Sequence, residues 1–208
     1  MPYDANQFPQ SECRFPHGGP NGVSQSVMSS MNYQPIVDRA IGVLSLKDPV
    51  YEEIEHDQNA TTQAAIVVVV AGLAAGIGSI NDHWYSILVS PVGALIAWAV
   101  GSYFIYMVGT RLLPSTTTEA DLGQVLRLIG FASVANVLNI LGFVPVLGTL
   151  LGIVAAVLGI IITVKAVMHA LEMSVGRAIV TAIVAGIVEG IVLLIIGAIF
   201  GVGLWLGA

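Results

Sequence analysis

The sequence predicts an all-α, polytopic membrane protein, in which a bundle of five transmembrane helices follows short N-terminal amphipathic helices. Of its 208 residues, 56% are hydrophobic and only 10% are charged, whereas about a quarter of the residues of soluble domains are charged. Five apolar segments are long enough to cross a hydrocarbon core of about 30 Å, which takes about 20 helical residues. They lie at residues 62–80, 87–108, 122–142, 146–168 and 178–204.

The first part of the chain, residues 1–33, is rich in Pro, Gly, Ser and Asn and has no apolar periodicity. This composition predicts a disordered or extended tail. The tail also lacks the apolar stretch of a signal peptide. The chain contains a single cysteine, Cys13, so we expect neither an intrachain disulfide nor a cysteine-based metal site.

Residues 34–59 are predicted to form juxtamembrane amphipathic helices. In the first, the apolar residues recur at helical spacing, at Ile36, Val37, Ala40, Ile41 and Leu44. In the second, Asp48 is the expected N-cap residue and Pro49 the first helical residue.

The second amphipathic helix is acidic. Val50, Tyr51 and Ile54 share one face, and the opposite side carries the carboxylates Glu52, Glu53, Glu55 and Asp57. Because an anionic lipid surface would repel this side, we expect it to point to water or to a basic partner. Tyr51, Glu52, Glu53 and Glu55 are therefore candidate partner-binding residues, and a solvated face is the alternative.

Charge distribution predicts the orientation of the region 60–208. With five spans, every basic residue falls on the same side of the membrane, at Arg14, Arg39, Lys47, Arg111, Arg127, Lys165 and Arg177. The positive-inside rule then predicts a cytoplasmic N-terminus and a C-terminus outside, in a cell membrane of bacterial inner-membrane type. With a net charge of −6, the sequence indicates no basic surface that would bind nucleic acid.

Three polar residues lie inside predicted spans. Glu189 is about 12 residues from Arg177, hence roughly 18 Å deep, and an intramembrane carboxylate is by default a functional hypothesis. The functional alternatives for Glu189 are an ion or proton site, or a ligand to a bound pigment or metal. The structural alternative is a hydrogen bond to a neighbouring helix. Asn136 and Asn139 share a helix face and are expected to bond between helices.

Other motifs are weaker. Glycines recur four residues apart, as at Gly72 and Gly76 or at Gly186 and Gly190, a spacing that lets helices approach closely. The four histidines are scattered and form no HExxH motif or i, i+4 pair. We therefore predict no catalytic residues, no metal site and no cofactor.

Several stretches resemble the prokaryotic members of the Yip1 domain family. They are DPVYEEIEHDQNAT, GTRLL, LGQVLRLIGFAS and LEMSVGRAIVTAIV, in this order between about residues 36 and 200. The resemblance implies a five-helix membrane bundle with a cytoplasmic N-terminus. The eukaryotic relatives bind small GTPases of the Rab type and act in vesicle traffic, but their DLYGP-like segment is absent here, so we do not expect a small-GTPase partner.

The sequence therefore favours a non-enzymatic membrane organiser, a scaffold or an accessory subunit of a larger membrane complex. Its expected partners are the lipid bilayer, other membrane subunits or further copies of itself. The alternative is a small transporter or channel that uses Glu189.

Overall fold

The computed structural model describes residues 34–206, apart from residue 82 and residues 114–119. The predicted tail, residues 1–33, lies outside this part of the chain. The described residues are helical throughout, with short turns between helices. The helices are α1 (Gln34–Leu44), α2 (Asp48–His56), α3 (Ala60–Gly78), α4 (Ser86–Met107), α5 (Leu122–Ala132), α6 (Leu147–Ala170) and α7 (Val175–Leu206).

Five helical segments are long and apolar enough to cross a membrane, as predicted: Ala60–Gly78, Ser86–Leu112, Leu122–Leu141, Leu147–Ala170 and Val175–Ile195. Two of them change helix type along their length. The second span ends in a π-helical turn, Val108–Leu112, and the third continues from α5 into a 3₁₀-helix, Ser133–Leu141. The sequence analysis did not predict either change.

The first and third spans form the centre of the bundle. In an apolar stretch of 18 residues within each of these two spans, 44% and 39% of the residues are buried, against only 17% in each of the other spans. Phe131 and Leu128 of α5 are fully buried and belong to the same core as Val67 of α3 and Ile162 of α6. The second, fourth and fifth spans therefore present most of their surface to lipid, where apolar side chains need no further cover.

Two glycines let α3 and α4 approach closely. A Cβ atom at Gly72 would lie 2.6 Å from the Cα of Pro91, and one at Gly76 would lie 2.6 Å from the carbonyl oxygen of Ser86. The Ser86 hydroxyl donates a hydrogen bond of 2.7 Å to the Gly76 carbonyl across the same contact. Helices in lipid associate through such van der Waals contact between backbones.

The described basic residues gather at one end of the bundle. Arg39 and Lys47 precede α3, Arg111 ends the second span, and Arg177 donates a hydrogen bond to the Leu113 carbonyl. Arg127 is buried and donates a hydrogen bond to the Glu55 carbonyl at 2.6 Å. It is thus occupied by α2, which packs over this end of the bundle.

Candidate functional site

The N-terminal layer, defined as α1 and α2, is anchored to the bundle by Tyr51. This side chain is fully buried, and its hydroxyl donates a 3.1 Å hydrogen bond to the Val43 carbonyl. Its ring stacks on His169 of α6 with centroids 5.2 Å apart, and the Lys165 Nζ lies 5.6 Å from its centroid. Burial raises the pKa of Tyr51, so the phenol stays neutral at physiological pH.

Asp48 ties the start of α2 to α6. It is the first residue of the helix, and Lys47 takes the N-cap position that the sequence analysis assigned to Asp48. Its Oδ1 lies 2.8 Å from the Lys165 Nζ and 3.2 Å from the His169 Nε2. Hydrogen bonds from Lys165 and then His169 hold the pKa of Asp48 below its usual value. Lys165 also donates to the carbonyl of Leu46.

A second clamp joins α1, α2 and α3 through Arg39. This buried guanidinium lies 2.7 Å from carboxylate oxygens of both Glu53 and Asp57, and it donates to Gln63 at 2.7 Å. Although burial opposes ionisation of Asp57, the hydrogen bonds from Arg39 and from the Asn59 N–H leave its pKa below the usual value. Much of the acidic side of α2 is thus neutralised within the chain itself.

The four candidate partner-binding residues divide into two pairs. Tyr51 and Glu55 face the bundle and are buried, and burial raises the pKa of the Glu55 carboxyl. Glu52 and Glu53 are exposed, with 58% of the Glu53 side chain accessible despite its ion pair with Arg39. Only Glu52 and Glu53 therefore remain on the surface for a partner.

The three intramembrane polar residues share one cavity. Glu189, Asn136 and Asn139 line a space of about 520 Å³ together with Thr163 and Ser133. Its walls include residues of all five membrane spans, so the cavity lies inside the bundle. A volume of this size is within the range of small-molecule sites, about 300–1,000 Å³.

Glu189 enters the cavity from α7, where it packs on Gly101 of α4. A Cβ atom at Gly101 would lie only 2.6 Å from the Glu189 Oε2, so a larger residue there would displace the carboxyl group. Glu189 follows Val175 by 14 residues, which places it about 21 Å along the helix and near the middle of a bilayer. The cavity is therefore at membrane depth.

Several polar side chains of the cavity lack protein partners. Within the part of the chain that the structure describes, the side chains of Glu189, Asn136, Asn139 and Thr163 form no hydrogen bond or ion pair. An unsatisfied polar group at membrane depth costs several kcal/mol. These four side chains can therefore bind water or a polar ligand, with one carboxyl group, two carboxamides and one hydroxyl.

Sequence reasoning missed Thr163 and the role of Arg39. Thr163 stands in an apolar run of α6, and only the packing of the helices shows that it lines the same cavity as Asn136. The described residues contain no cluster of three His, Cys, Asp or Glu side chains that could hold a metal ion.

Comparison with known proteins identifies a family. No curated protein and no solved structure is significantly similar to the chain. The family model of the Yip1 domain matches residues 41–197, from within α1 to within α7, and so includes the end of α1, the whole of α2 and the cavity. This match spans about three quarters of the sequence, and the chain is therefore a member of the Yip1 domain family.

Proposed function

We propose that this membrane protein is a non-enzymatic organiser or accessory subunit that recruits a partner protein through its N-terminal layer. The observation that carries the proposal is an apolar stripe on α1. Val37 and Ile41 are more than half exposed, at 54% and 53%, and Leu44 continues the stripe. These residues precede the membrane spans, and helix positions four and three apart lie on one face.

The side of α1 opposite the apolar stripe is not available to a partner. Arg39 and Val43 are buried there against α2 and the bundle, and the Arg39 ion pairs fix the rotation of the helix. The apolar stripe is consequently held outward on α1, and α2 contributes the exposed carboxylates Glu52 and Glu53 to the same layer. A layer with an exposed apolar stripe and exposed carboxylates complements a partner with an apolar contact surface and Lys or Arg side chains.

Site-specific photocrosslinking in membranes tests this proposal. A crosslinker at Ile41 and another at Glu52 should capture the same protein. Glu52→Lys should remove the adduct of the Ile41 crosslinker, and Val37→Ser should remove the adduct of the Glu52 crosslinker, as should Val37→Ser combined with Ile41→Ser. Ser45→Lys, which adds a charge to the same layer outside the stripe, is the matched control and should retain them. Crosslinks to lipid alone, or adducts that survive these variants, would show that the layer is not a docking surface.

A second candidate is a small transporter or channel, which the cavity around Glu189 favours. The cavity brings the carboxyl group together with uncharged hydroxyl and carboxamide side chains at membrane depth, an arrangement typical of a solute pathway. This candidate requires flux into liposomes that Glu189→Gln abolishes while the protein still inserts and purifies normally. Absence of flux over a broad panel of ions and small solutes would refute it.

A further inference from the structure

The central cavity adjoins a groove on the lipid-facing side of the bundle. The groove lies between α6 and α7 and has a volume of about 930 Å³, and Asn136 and Thr163 line both spaces. Its other walls are mainly apolar or small. Ile160 and Ile187, at its margin, are 65% and 59% exposed, so the groove is open to the surrounding hydrocarbon.

Two glycines keep this groove open. A Cβ atom at Gly186 would meet nothing within 4 Å, and one at Gly159 would meet only the Cβ of Ala135, at 3.9 Å. Neither residue is needed for close helix packing at its position, and both line the groove. A hydrocarbon chain in the groove would therefore end beside the unpaired polar groups of the cavity, which calls for an amphipathic occupant.

The lining of the cavity defines the head group of that occupant. Among the described residues that line it, Glu189 is the only charged one, and no Lys or Arg is present. A phosphate group would find no cation there and would be repelled by the carboxyl group. The other unpaired polar side chains of the lining, Ser90, Asn136, Asn139 and Thr163, are uncharged, and amides and hydroxyls both donate and accept hydrogen bonds. Hydroxyl groups match this set.

We propose that the cavity and the groove together bind a neutral acylglycerol, with its glycerol hydroxyls at Glu189, Asn136 and Asn139 and its acyl chain between α6 and α7. The two hydroxyls of a monoacylglycerol would satisfy side chains that otherwise have no partner. This site is independent of the docking surface on α1 and α2, which lies outside the membrane spans.

Native mass spectrometry of the purified protein, titrated with mono-oleoylglycerol, tests the proposal. Oleoyl lysophosphatidate carries a similar chain with an anionic head and should bind at least about tenfold more weakly, which corresponds to about 1.4 kcal/mol. Oleylamine carries a cationic head that can pair with the Glu189 carboxyl group, so tighter binding of oleylamine than of mono-oleoylglycerol would overturn the neutral head group. Equal binding of the three lipids would show that only the chain is recognised and would overturn the proposal.

Variants of Glu189 distinguish a hydroxyl head from a cationic one. Glu189→Gln keeps a hydrogen-bonding group and should change the affinity for mono-oleoylglycerol by less than about threefold. Glu189→Leu and Asn136→Leu should each weaken it by about fivefold, since each removes a hydrogen bond worth about 1 kcal/mol. A loss in Glu189→Gln as large as that in Glu189→Leu would contradict the neutral head group.

Glycine variants test the path of the acyl chain. Gly186→Leu should fill the groove and abolish binding, whereas Gly93→Leu should leave it unchanged, because Gly93 of α4 also has open space around it but lines neither the cavity nor the groove. Circular dichroism and size-exclusion profiles check that both variants fold. Unchanged binding in a folded Gly186→Leu protein would refute the groove, and the crosslinking variants of α1 and α2 should bind lipid normally.

Discussion

Individual ionisable residues decide how firmly α2 is held on the bundle. Asp48 and Asp57 form ion pairs with Lys165 and Arg39, and their pKa values are lowered. Glu55 is the opposite case, because burial raises its pKa and no basic side chain forms an ion pair with it among the described residues. The ionised carboxylates of Asp48 and Asp57 therefore stabilise the packing of α2 on the bundle, whereas ionisation of Glu55 opposes it.

The first prediction concerns Glu55 and pH. A carboxyl group with a raised pKa binds more protons in the folded state, so its contribution to stability falls as pH rises from its unfolded pKa through its folded pKa. Glu55→Gln removes this loss and should raise the melting temperature at pH 7. The gain should shrink as the pH is lowered toward the usual range for a glutamate, about 4.3.

Thermal unfolding in detergent between pH 4 and 8 measures this effect. Asp48→Asn is the matched control on the same helix. Its pKa is lowered, so its stabilising contribution is present above the unfolded pKa and is lost only as pH falls through the folded pKa. Asp48→Asn should therefore destabilise at pH 7. A lower melting temperature for Glu55→Gln at pH 7 would contradict the assignment.

At the scale of elements, glycine positions determine how closely two spans pack. The prediction is that Gly76→Ala destabilises the bundle, because the added Cβ would lie 2.6 Å from a backbone oxygen and 2.8 Å from the Cα of Ile87, neither of which can move alone. We expect a cost of about 1–3 kcal/mol, the usual range for overpacking. Gly93→Ala, in open space on α4, should be neutral in the same thermal-unfolding assay.

The positions of the membrane spans were predicted well, because the length of an apolar run is enough to identify a span. All five spans begin within three residues of their expected positions, since a long apolar run has few alternatives. The break in the third span at Ser133 was not predicted. Its 3₁₀ geometry turns Asn136 and Asn139 toward the cavity, and this depends on packing against α3 and α6 rather than on local sequence.

The candidate site was only partly predictable for the same reason. Glu189, Asn136 and Asn139 stand out in the sequence because polar residues are rare in spans, but nothing in their spacing shows that they share a cavity. The charges on the acidic side of α2 suggested a basic partner, and two of those carboxylates, Glu53 and Asp57, pair with Arg39 of the same chain. Both the shared cavity and the internal ion pairs form between residues that are distant in the sequence, so they depend on the tertiary fold.

For the whole molecule, the last prediction is the orientation in the membrane. The basic end of the bundle, with Lys47, should be cytoplasmic, and the turn with Trp84, which is 77% exposed, should lie outside. In a Cys13→Ser background, a membrane-impermeant maleimide should label Trp84→Cys in intact cells. It should label Lys47→Cys only after permeabilisation.

Both positions are exposed, so a difference in labelling reports the side of the membrane rather than burial. The reverse pattern would place the N-terminal layer outside, away from any cytoplasmic partner. It would also set the gathered basic residues against the positive-inside rule, and the proposed docking function would then require an extracytoplasmic partner. The pocket for a neutral lipid would be unaffected, because its head group lies at the middle of the membrane and its entry is lateral.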